Sequence, residues 1–157
     1  MSARFAVVED GERLSALHAQ AFPAPWSPEA FADLLRAPGV CAVLVEQGFA
    51  MVRTVAGEAE LLTLAVAPAA RRRGIGRALL DAALEAARLS GAEVLHLEVA
   101  AGNTAALALY AAAGFERSGL RPAYYASPGG APEDAVLMRR TLNTPAASAY
   151  RGRDGAY

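Results

Sequence analysis

The strongest chemical signal in this 157-residue sequence is a short basic segment with two glycines, Arg71-Arg72-Arg73-Gly74-Ile75-Gly76-Arg77. It lies between a predicted strand that ends near Val66 and a predicted helix that begins near Gly74. The first turn of a helix exposes unpaired N–H groups and the positive end of the helix dipole, which together favour a phosphate group. Glycine lets the backbone approach phosphate oxygens closely, and arginine adds charge-assisted hydrogen bonds. The segment therefore predicts a site for a pyrophosphate.

The spacing of the glycines separates this segment from two common nucleotide-binding motifs. It is not Gly-x-Gly-x-x-Gly, which is typical of NAD-binding folds, and it lacks the Gly-Lys-Ser/Thr of P-loop nucleotide hydrolases. An ordinary basic helix start with two flexible glycines is the alternative interpretation. Three consecutive arginines at the positive end of a helix dipole favour a bound anion as their compensation.

Glu98 is an acidic residue inside a predicted strand, Val94-Leu95-His96-Leu97-Glu98-Val99. Because side chains alternate across a strand, the leucines and Val99 share one face and leave His96 and Glu98 on the other. A strand with one solvent-facing side gives the same pattern. On spacing alone, a solvent-facing carboxylate is the preferred interpretation.

Tyr110 lies late in a predicted helix, three residues after Leu107. On sequence alone, Tyr110 fits a core or boundary aromatic whose hydroxyl is satisfied by a hydrogen bond. Asn103 lies where that helix begins, and asparagine is a preferred N-cap residue.

Other side chains suited to catalysis or metal binding are few. Cys41 is the only cysteine and lies in an apolar run, so we interpret it as a small buried side chain. We expect His18 at the surface of the first helix and His96 in a structural role beside Glu98. These residues lack the spacing of zinc ligands, and we expect no metal site.

Hydrophobic periodicity predicts one α/β domain over residues 1–142, followed by a polar tail at 143–157 that adds nothing to the core. The predicted strands cover 5–8, 40–45, 49–55, 61–66, 94–99, 120–125 and 135–139, and the predicted helices cover 13–22, a segment starting at Ser27-Pro28, 74–89 and 103–113. The order strand, helix, strand, helix in the second half predicts a βαβ unit with parallel strands. Pro23 and Pro25 must end the first helix, and Ser27 is a suitable cap for the next one.

The composition excludes several classes of partner. A formal net charge of −1 is unlike a protein that binds nucleic acid through a broad basic surface. No apolar run approaches the roughly 20 residues that cross a bilayer, so we expect no membrane segment. The N-terminal apolar run is too short for the core of a signal peptide, and we expect a cytoplasmic protein.

Several separated motifs in the correct order resemble one enzyme family. Arg71, Gly74 and Gly76, after a strand closed by Val66-Ala67-Pro68, resemble the acyl-CoA loop of the GNAT superfamily of acetyltransferases. Six further segments resemble its RimI-type members, which acetylate the N-terminal alanine of the eighteenth small-subunit ribosomal protein: Pro25-Trp26-Ser27-Pro28-Glu29-Ala30-Phe31, Leu97-Glu98-Val99, Asn103-Thr104-Ala105-Ala106-Leu107-Ala108-Leu109-Tyr110, Gly114-Phe115, Tyr124-Tyr125 and Glu133-Asp134-Ala135. The resemblance implies the GNAT fold, a mixed central β-sheet flanked by helices, with acetyl-CoA as cosubstrate.

The resemblance also implies a role for each candidate residue. Glu98 matches the general base, acting through water, and Tyr110 matches the general acid that protonates the leaving sulfur. Asn103 matches a residue that contacts acetyl-CoA. The backbone of the strand end, Leu64, Ala65 and Val66, would hydrogen-bond the thioester and pantetheine. The pyrophosphate would be held by the basic loop, which consists of Arg71, Arg72, Arg73, Gly74, Ile75, Gly76 and Arg77. Direct transfer needs no cysteine nucleophile.

By the same resemblance, Trp26, Tyr124 and Tyr125 border the channel for the acceptor, the N-terminus of a ribosomal protein. Core closure is the alternative interpretation for Trp26, and Pro23-Ala24-Pro25 departs from the shorter link of many relatives. A GNAT enzyme that acetylates a small amine or a lysine side chain is a second hypothesis, because a shared fold does not fix the acceptor. A non-catalytic acyl-CoA-binding module is a third, and the presence of both Glu98 and Tyr110 argues against it.

Overall fold

The β-prone runs of the sequence pair into a single sheet in the computed structural model, which describes residues 2–126 and 129–142. Within these residues the chain forms seven strands and four α-helices. The strands are β1 (Arg4–Phe5), β2 (Val40–Val45), β3 (Gly48–Val55), β4 (Glu58–Val66), β5 (Val94–Ala100), β6 (Glu116–Tyr125) and β7 (Glu133–Thr141). The helices are α1 (Gly11–Ala21), α2 (Pro28–Arg36), α3 (Ile75–Leu89) and α4 (Thr104–Ala112). The predicted tail, 143–157, lies outside the described residues.

The strand order is β1-β2-β3-β4-β5-β7-β6. In the described part of the chain β4 and β5 form a parallel pair, and the other neighbours are antiparallel. Helix α3 makes the crossover between β4 and β5, as a parallel pair requires. The predicted βαβ unit is confirmed.

Each face of the sheet carries its own apolar core. One buried cluster joins α3 and α4 to the sheet and includes Leu79, Leu80 and Leu95. The other joins α1 and α2 to β2, β3 and β4 around Phe31 and Phe49. The sheet is therefore the middle layer of three.

Local signals place the helix ends as predicted. The Ala30 N–H donates to the Ser27 side chain at 3.1 Å, so Ser27 caps α2, and Pro28 occupies its first turn. Helix α1 ends at Ala21, two residues before Pro23. The predicted strand at 5–8 is wrong beyond Phe5, because the Asp10 carboxylate accepts the Val7 N–H at 2.7 Å and turns the chain into a short 3₁₀ helix.

The prediction that His18 lies at the surface is also wrong. Its side chain is on the inner face of α1 and only 3% of the residue is exposed. The rings of Phe22 and Trp26 cover it from the chain that links α1 to α2. Periodicity places His18 on a helix face but does not reveal this cover.

A fork opens in the middle of the sheet where β4 and β5 part. The two strands pair at Glu58–Val94, Ala59–Leu95 and Glu60–His96. Immediately afterwards β4 carries a bulge against β3, between the pairs Met51–Thr63 and Val52–Leu61. A bulge bends a strand and increases its twist, so β4 turns away from β5 at this point.

Candidate active site

The basic loop forms an open cradle at the start of α3. Gly74 is the N-cap residue with φ +77°, and Arg72 also lies in the left-handed region at φ +64°. No side chain caps the helix, so its first N–H groups are available to a ligand. The Arg71 Nε donates to the Val66 carbonyl at 3.2 Å and ties the loop to the end of β4.

The remaining arginines of the loop differ in their partners. Arg77 is paired with Asp81 on the same helix, at 3.0 Å between Nε and Oδ1. Arg72 and Arg73 are exposed, and neither forms an ion pair with a carboxylate of the described residues. Two guanidinium groups therefore stand unneutralised beside the positive end of the α3 dipole.

The glycines leave space where a ligand would approach the backbone. A Cβ added at Gly74 would meet nothing within 4 Å. One added at Gly76 would lie 3.6 Å from Leu109 Cδ2 and 3.8 Å from Val66 Cγ2, where α3, α4 and β4 meet. An uncapped helix start with open backbone and two free arginines fits the pyrophosphate of an acyl-CoA.

The end of β4 offers a hydrogen-bonding edge. Leu64, Ala65 and Val66 pair with β3 on one side, and β5 no longer pairs with β4 beyond Glu60. The backbone groups of this segment that point toward the fork have no partner on β5. Such an edge can take an extended chain with amide groups, as a pantetheine arm has.

Glu98 lies at the mouth of the fork, two residues after the last paired residue of β5, His96. Leu95, Leu97 and Val99 are buried on the opposite face, as alternation predicts, and the Glu98 side chain is 27% exposed. The Arg121 guanidinium of β6 is 3.2 Å from the Glu98 carboxylate. Arg121 also lies 5.2 Å from the centre of the Tyr124 ring.

Tyr110 is nearly fully buried, and its ring packs edge-on against Phe115 at 5.8 Å. Burial raises the pKa of Tyr110 to about 12, with a smaller contribution from Tyr125. Burial also raises the pKa of Tyr125, and the Glu98 carboxylate adds to the effect. Glu98 thus influences the pKa of Tyr125, and Tyr125 influences the pKa of Tyr110.

Two carboxylates, Glu133 and Asp134, hold the backbone next to these side chains, one before α4 and one in β6. Glu133 accepts the Gly102 N–H at 2.6 Å, beside Asn103, whose side chain caps α4 through the Ala106 N–H at 3.2 Å. Asp134 accepts the Ala123 N–H at 2.8 Å, at a bulge of β6 where Ala123 has φ +52°. The predicted N-cap at Asn103 is confirmed.

Trp26 and the two late tyrosines have different packing partners. It packs against His18 and Phe31 in the cluster of α1 and α2, which supports the core interpretation of this residue. That cluster also contains Ala65 of the open β4 segment. Tyr124 and Tyr125 pack edge-on against each other at 5.1 Å, beside Arg121 and Glu98.

A cleft of about 580 Å³ extends from Glu98 over the exposed face of β4, β5 and β6. Its lining includes Glu58, Glu60, His96 and Arg121. In residues 2–126 and 129–142, no cluster of three or more potential ligand side chains could hold a metal ion. The same residues contain no helix with the length and apolarity to cross a membrane.

Sequence comparison agrees with this geometry. The model of the family described as "Acetyltransferase (GNAT) family" matches residues 11–115. This chain is a GNAT acetyltransferase. The N-alpha-acetyltransferase RimI of Mycobacterium tuberculosis is 41% identical over 147 residues, which cover 87% of this chain and 89% of that protein. The predicted superfamily, enzyme class and RimI-type resemblance are confirmed.

Proteins from Escherichia coli extend the comparison to structure. The [ribosomal protein bS18]-alanine N-acetyltransferase of strain K12 is 38% identical over 118 residues, 73% of this chain and 79% of that protein. The crystal structure of the ribosomal-protein-S18-alanine N-acetyltransferase from Escherichia coli superposes with a TM-score of 0.79 and 30% identity, over 90% of this chain and 95% of that one. The GNAT fold predicted from the sequence is confirmed.

Sequence reasoning missed the ion pair of Arg121 with Glu98. No local signal points to Arg121, because its position opposite Glu98 depends on the bulges of β6 and on the order β5-β7-β6. It also missed the anchoring roles of Glu133 and Asp134, whose segment was singled out only as a resemblance.

Proposed function

We propose that this acetyltransferase transfers the acetyl group of acetyl-CoA to the N-terminal alanine of a ribosomal protein, the eighteenth of the small subunit. The observation that carries the proposal is Glu98 at the mouth of the β4–β5 fork, with the Arg121 guanidinium 3.2 Å from its carboxylate, together with the uncapped start of α3. The names of the bacterial relatives support the same acceptor.

Acetyl-CoA is the acetyl donor of the GNAT family, and we infer three places on this chain that contact it. The first N–H groups of α3, with Arg72 and Arg73, would hold the pyrophosphate. The open edge at Leu64–Val66 would hydrogen-bond the pantetheine arm and the thioester carbonyl. Asn103 would contact the donor near the start of α4.

The reaction is a direct transfer. The nitrogen of the acceptor amine forms a bond to the thioester carbon, and the bond from that carbon to sulfur breaks. Glu98 takes the proton from the amine through a water molecule, and Tyr110 gives its proton to the leaving sulfur. Burial supports the second role, because a hydroxyl with a pKa near 12 keeps its proton at neutral pH.

An α-amine suits a carboxylate base better than a lysine side chain does. Its unperturbed pKa is near 7.7–8.0, whereas that of a lysine amine is near 10.4. At pH 7 roughly a tenth of such an α-amine is already free, far more than of a lysine amine. We infer that Tyr124 and Tyr125 border the path by which this amine reaches Glu98. We infer that Trp26 borders the same path, because it is only partly buried and packs against the cluster that contains Ala65 of the open β4 segment.

Release of free CoA thiol tests the acceptor class. Purified enzyme and acetyl-CoA are mixed with three acceptors: a lysine-free peptide that begins with alanine, a peptide with a blocked N-terminus and an internal lysine, and a small polyamine. We expect release with the first alone. Release with only the second or the third would contradict the proposed acceptor and leave the family activity intact.

A cellular measurement identifies the natural acceptor. Intact-mass spectra of ribosomal proteins are compared in cells with and without this gene. In cells without the gene, we expect one small-subunit protein to be lighter by about 42 Da, the mass that an acetyl group adds when it replaces a hydrogen. An unchanged set of masses would contradict a ribosomal acceptor.

A further inference from the structure

His18 is a buried titratable group that the proposed chemistry does not use. Four aromatic rings surround its imidazole, with centres at 4.4 Å for Phe22, 4.9 Å for Trp26, 5.4 Å for Phe31 and 6.4 Å for Phe49. Phe22 and Trp26 belong to the link from α1 to α2, Phe31 belongs to α2, and Phe49 belongs to β3. None of the four carries a charge or titrates, so the imidazole lies in an apolar box.

The imidazole makes one hydrogen bond to the link between α1 and α2. The Trp26 N–H donates to His18 Nδ1 at 3.1 Å. Ser15, three residues earlier on the same helix, donates its hydroxyl to the Trp26 carbonyl at 2.7 Å. Both backbone polar groups of Trp26 are therefore held by side chains of α1.

The rest of the link has few constraints of its own. Residues 22–27 form neither a helix nor a strand, and they include Pro23 and Pro25. Proline fixes φ at its own position but supplies no N–H to tie the segment down. The two hydrogen bonds to Trp26 and the packing of its ring thus define where this segment lies.

We propose that His18 is a positioning residue whose neutral imidazole fixes the Trp26 segment in the conformation that receives the acceptor, so that acceptor binding weakens when this ring takes up a proton. The inference rests on the proposed function in one respect, the placement of the acceptor beside Trp26. We call the two hydrogen bonds from the His18 and Ser15 side chains to the Trp26 backbone the clamp. The clamp itself follows from the contacts in the structure.

The protonation state decides whether the clamp can form. Nδ1 accepts a hydrogen bond only while it carries no proton, and the doubly protonated ring donates from both nitrogens. Burial lowers the pKa of His18 below its ordinary value of 6.5. A released, solvated His18 regains the ordinary value and binds protons more readily than the clamped one. The clamp is therefore fully stable above about pH 6.5 and weakens as the pH falls below it.

Three variants separate the hydrogen bond from the packing. His18→Phe keeps an aromatic ring but removes the acceptor, His18→Asn keeps an acceptor oxygen but does not titrate, and Ser15→Ala removes only the second hydrogen bond. An unpaired buried N–H shifts an equilibrium by about tenfold or more. We expect His18→Phe to raise the KM for the acceptor by about tenfold and to leave the KM for acetyl-CoA unchanged. Ser15→Ala should raise the KM for the acceptor less. In this variant the KM should depend on pH as it does in the wild type, because His18 is still present.

Trp26 is the only tryptophan of the chain, so its fluorescence reports on the clamp without any acceptor. We expect the emission of the wild type to change with a midpoint below pH 6.5, and that of His18→Asn to stay constant over the same range. Acrylamide should quench His18→Phe more strongly than the wild type at pH 7.5. Circular dichroism and acetyl-CoA affinity at each pH verify that the variants are folded.

Trp26 fluorescence and the KM for the acceptor distinguish failure of the clamp from failure of the proposed function. Equal quenching of His18→Phe and wild type, or an emission titration retained in His18→Asn, would overturn the clamp. If the wild type acetylates an amine other than an alanine N-terminus, that amine replaces the peptide in the KM comparison. An acceptor KM unchanged in His18→Phe would then overturn the link between His18 and the acceptor.

Discussion

Replacement of Gly76 by alanine should separate the stability of the fold from the affinity for acetyl-CoA. The added Cβ would lie 3.6 Å from Leu109 Cδ2 and 3.8 Å from Val66 Cγ2, which are ordinary van der Waals separations. The fold therefore accepts the methyl group without rearrangement. Alanine is favoured over glycine within a helix by about 1 kcal/mol. Without ligand, we expect the free energy of unfolding of Gly76→Ala to be between that of the wild type and about 1 kcal/mol higher.

The ligand should respond in the opposite direction. In the proposed site, the backbone around Gly76 approaches the pyrophosphate or the pantetheine arm in the space that the Cβ would fill. A hydrogen bond to a charged group contributes roughly 1.5–3 kcal/mol. Loss of one such bond corresponds to a weakening of acetyl-CoA binding by roughly 10- to 150-fold. Gly76→Val fills more of the same space and should raise the KM for acetyl-CoA further.

Calorimetric titration with acetyl-CoA and thermal unfolding without it measure the two effects. Gly91→Ala is the matched control: Gly91 has φ +89°, it follows the C-terminal end of α3, and an added Cβ would meet nothing within 4 Å. Left-handed strain should cost this control about 1–2 kcal/mol of stability with no loss of affinity. Wild-type affinity for acetyl-CoA in both Gly76 variants would refute the placement of the donor.

Three further substitutions test the catalytic group. Tyr110→Phe should lower kcat by about 10²–10⁴-fold with unchanged acetyl-CoA affinity, and a wild-type rate would exclude the hydroxyl as the acid. Because burial raises the pKa of Tyr110 to about 12, wild-type kcat should not fall through loss of this proton as the pH rises to 10. Glu98→Gln should have a low rate near neutral pH and recover part of it as the pH passes the amine pKa of about 7.7–8.0. A rate reduced by the same factor across that range would indicate that Glu98 positions the amine and does not take its proton. Arg121→Met should lower kcat/KM by less than about fivefold, since a solvent-exposed ion pair contributes about 0–1 kcal/mol, and a much larger loss would assign Arg121 a direct role in the reaction.

Local features of the fold could be predicted because their causes lie within a few residues of each other. Ser27 caps α2 through a hydrogen bond to Ala30, three positions along, and glycine ends or begins helices where φ is positive. Alternation along β5 separates Glu98 from the buried Leu95 and Leu97, and the order of elements fixes the parallel β4–β5 pair. The uncapped start of α3 at Gly74 also belongs to this class, since one strand end, one loop and one helix start build it.

The sequence by itself thus determined the elements, their order, the family and the residue types that can do chemistry. Only the tertiary structure decided which of these groups meet. The β4–β5 fork depends on a bulge against β3, and the contact of Arg121 with Glu98 depends on the register of β6 across β7. His18 is buried because the Trp26 segment folds back over it. Each of these contacts joins residues whose distance in space is set by strand pairing and packing elsewhere in the chain, so no local pattern of residue types records it.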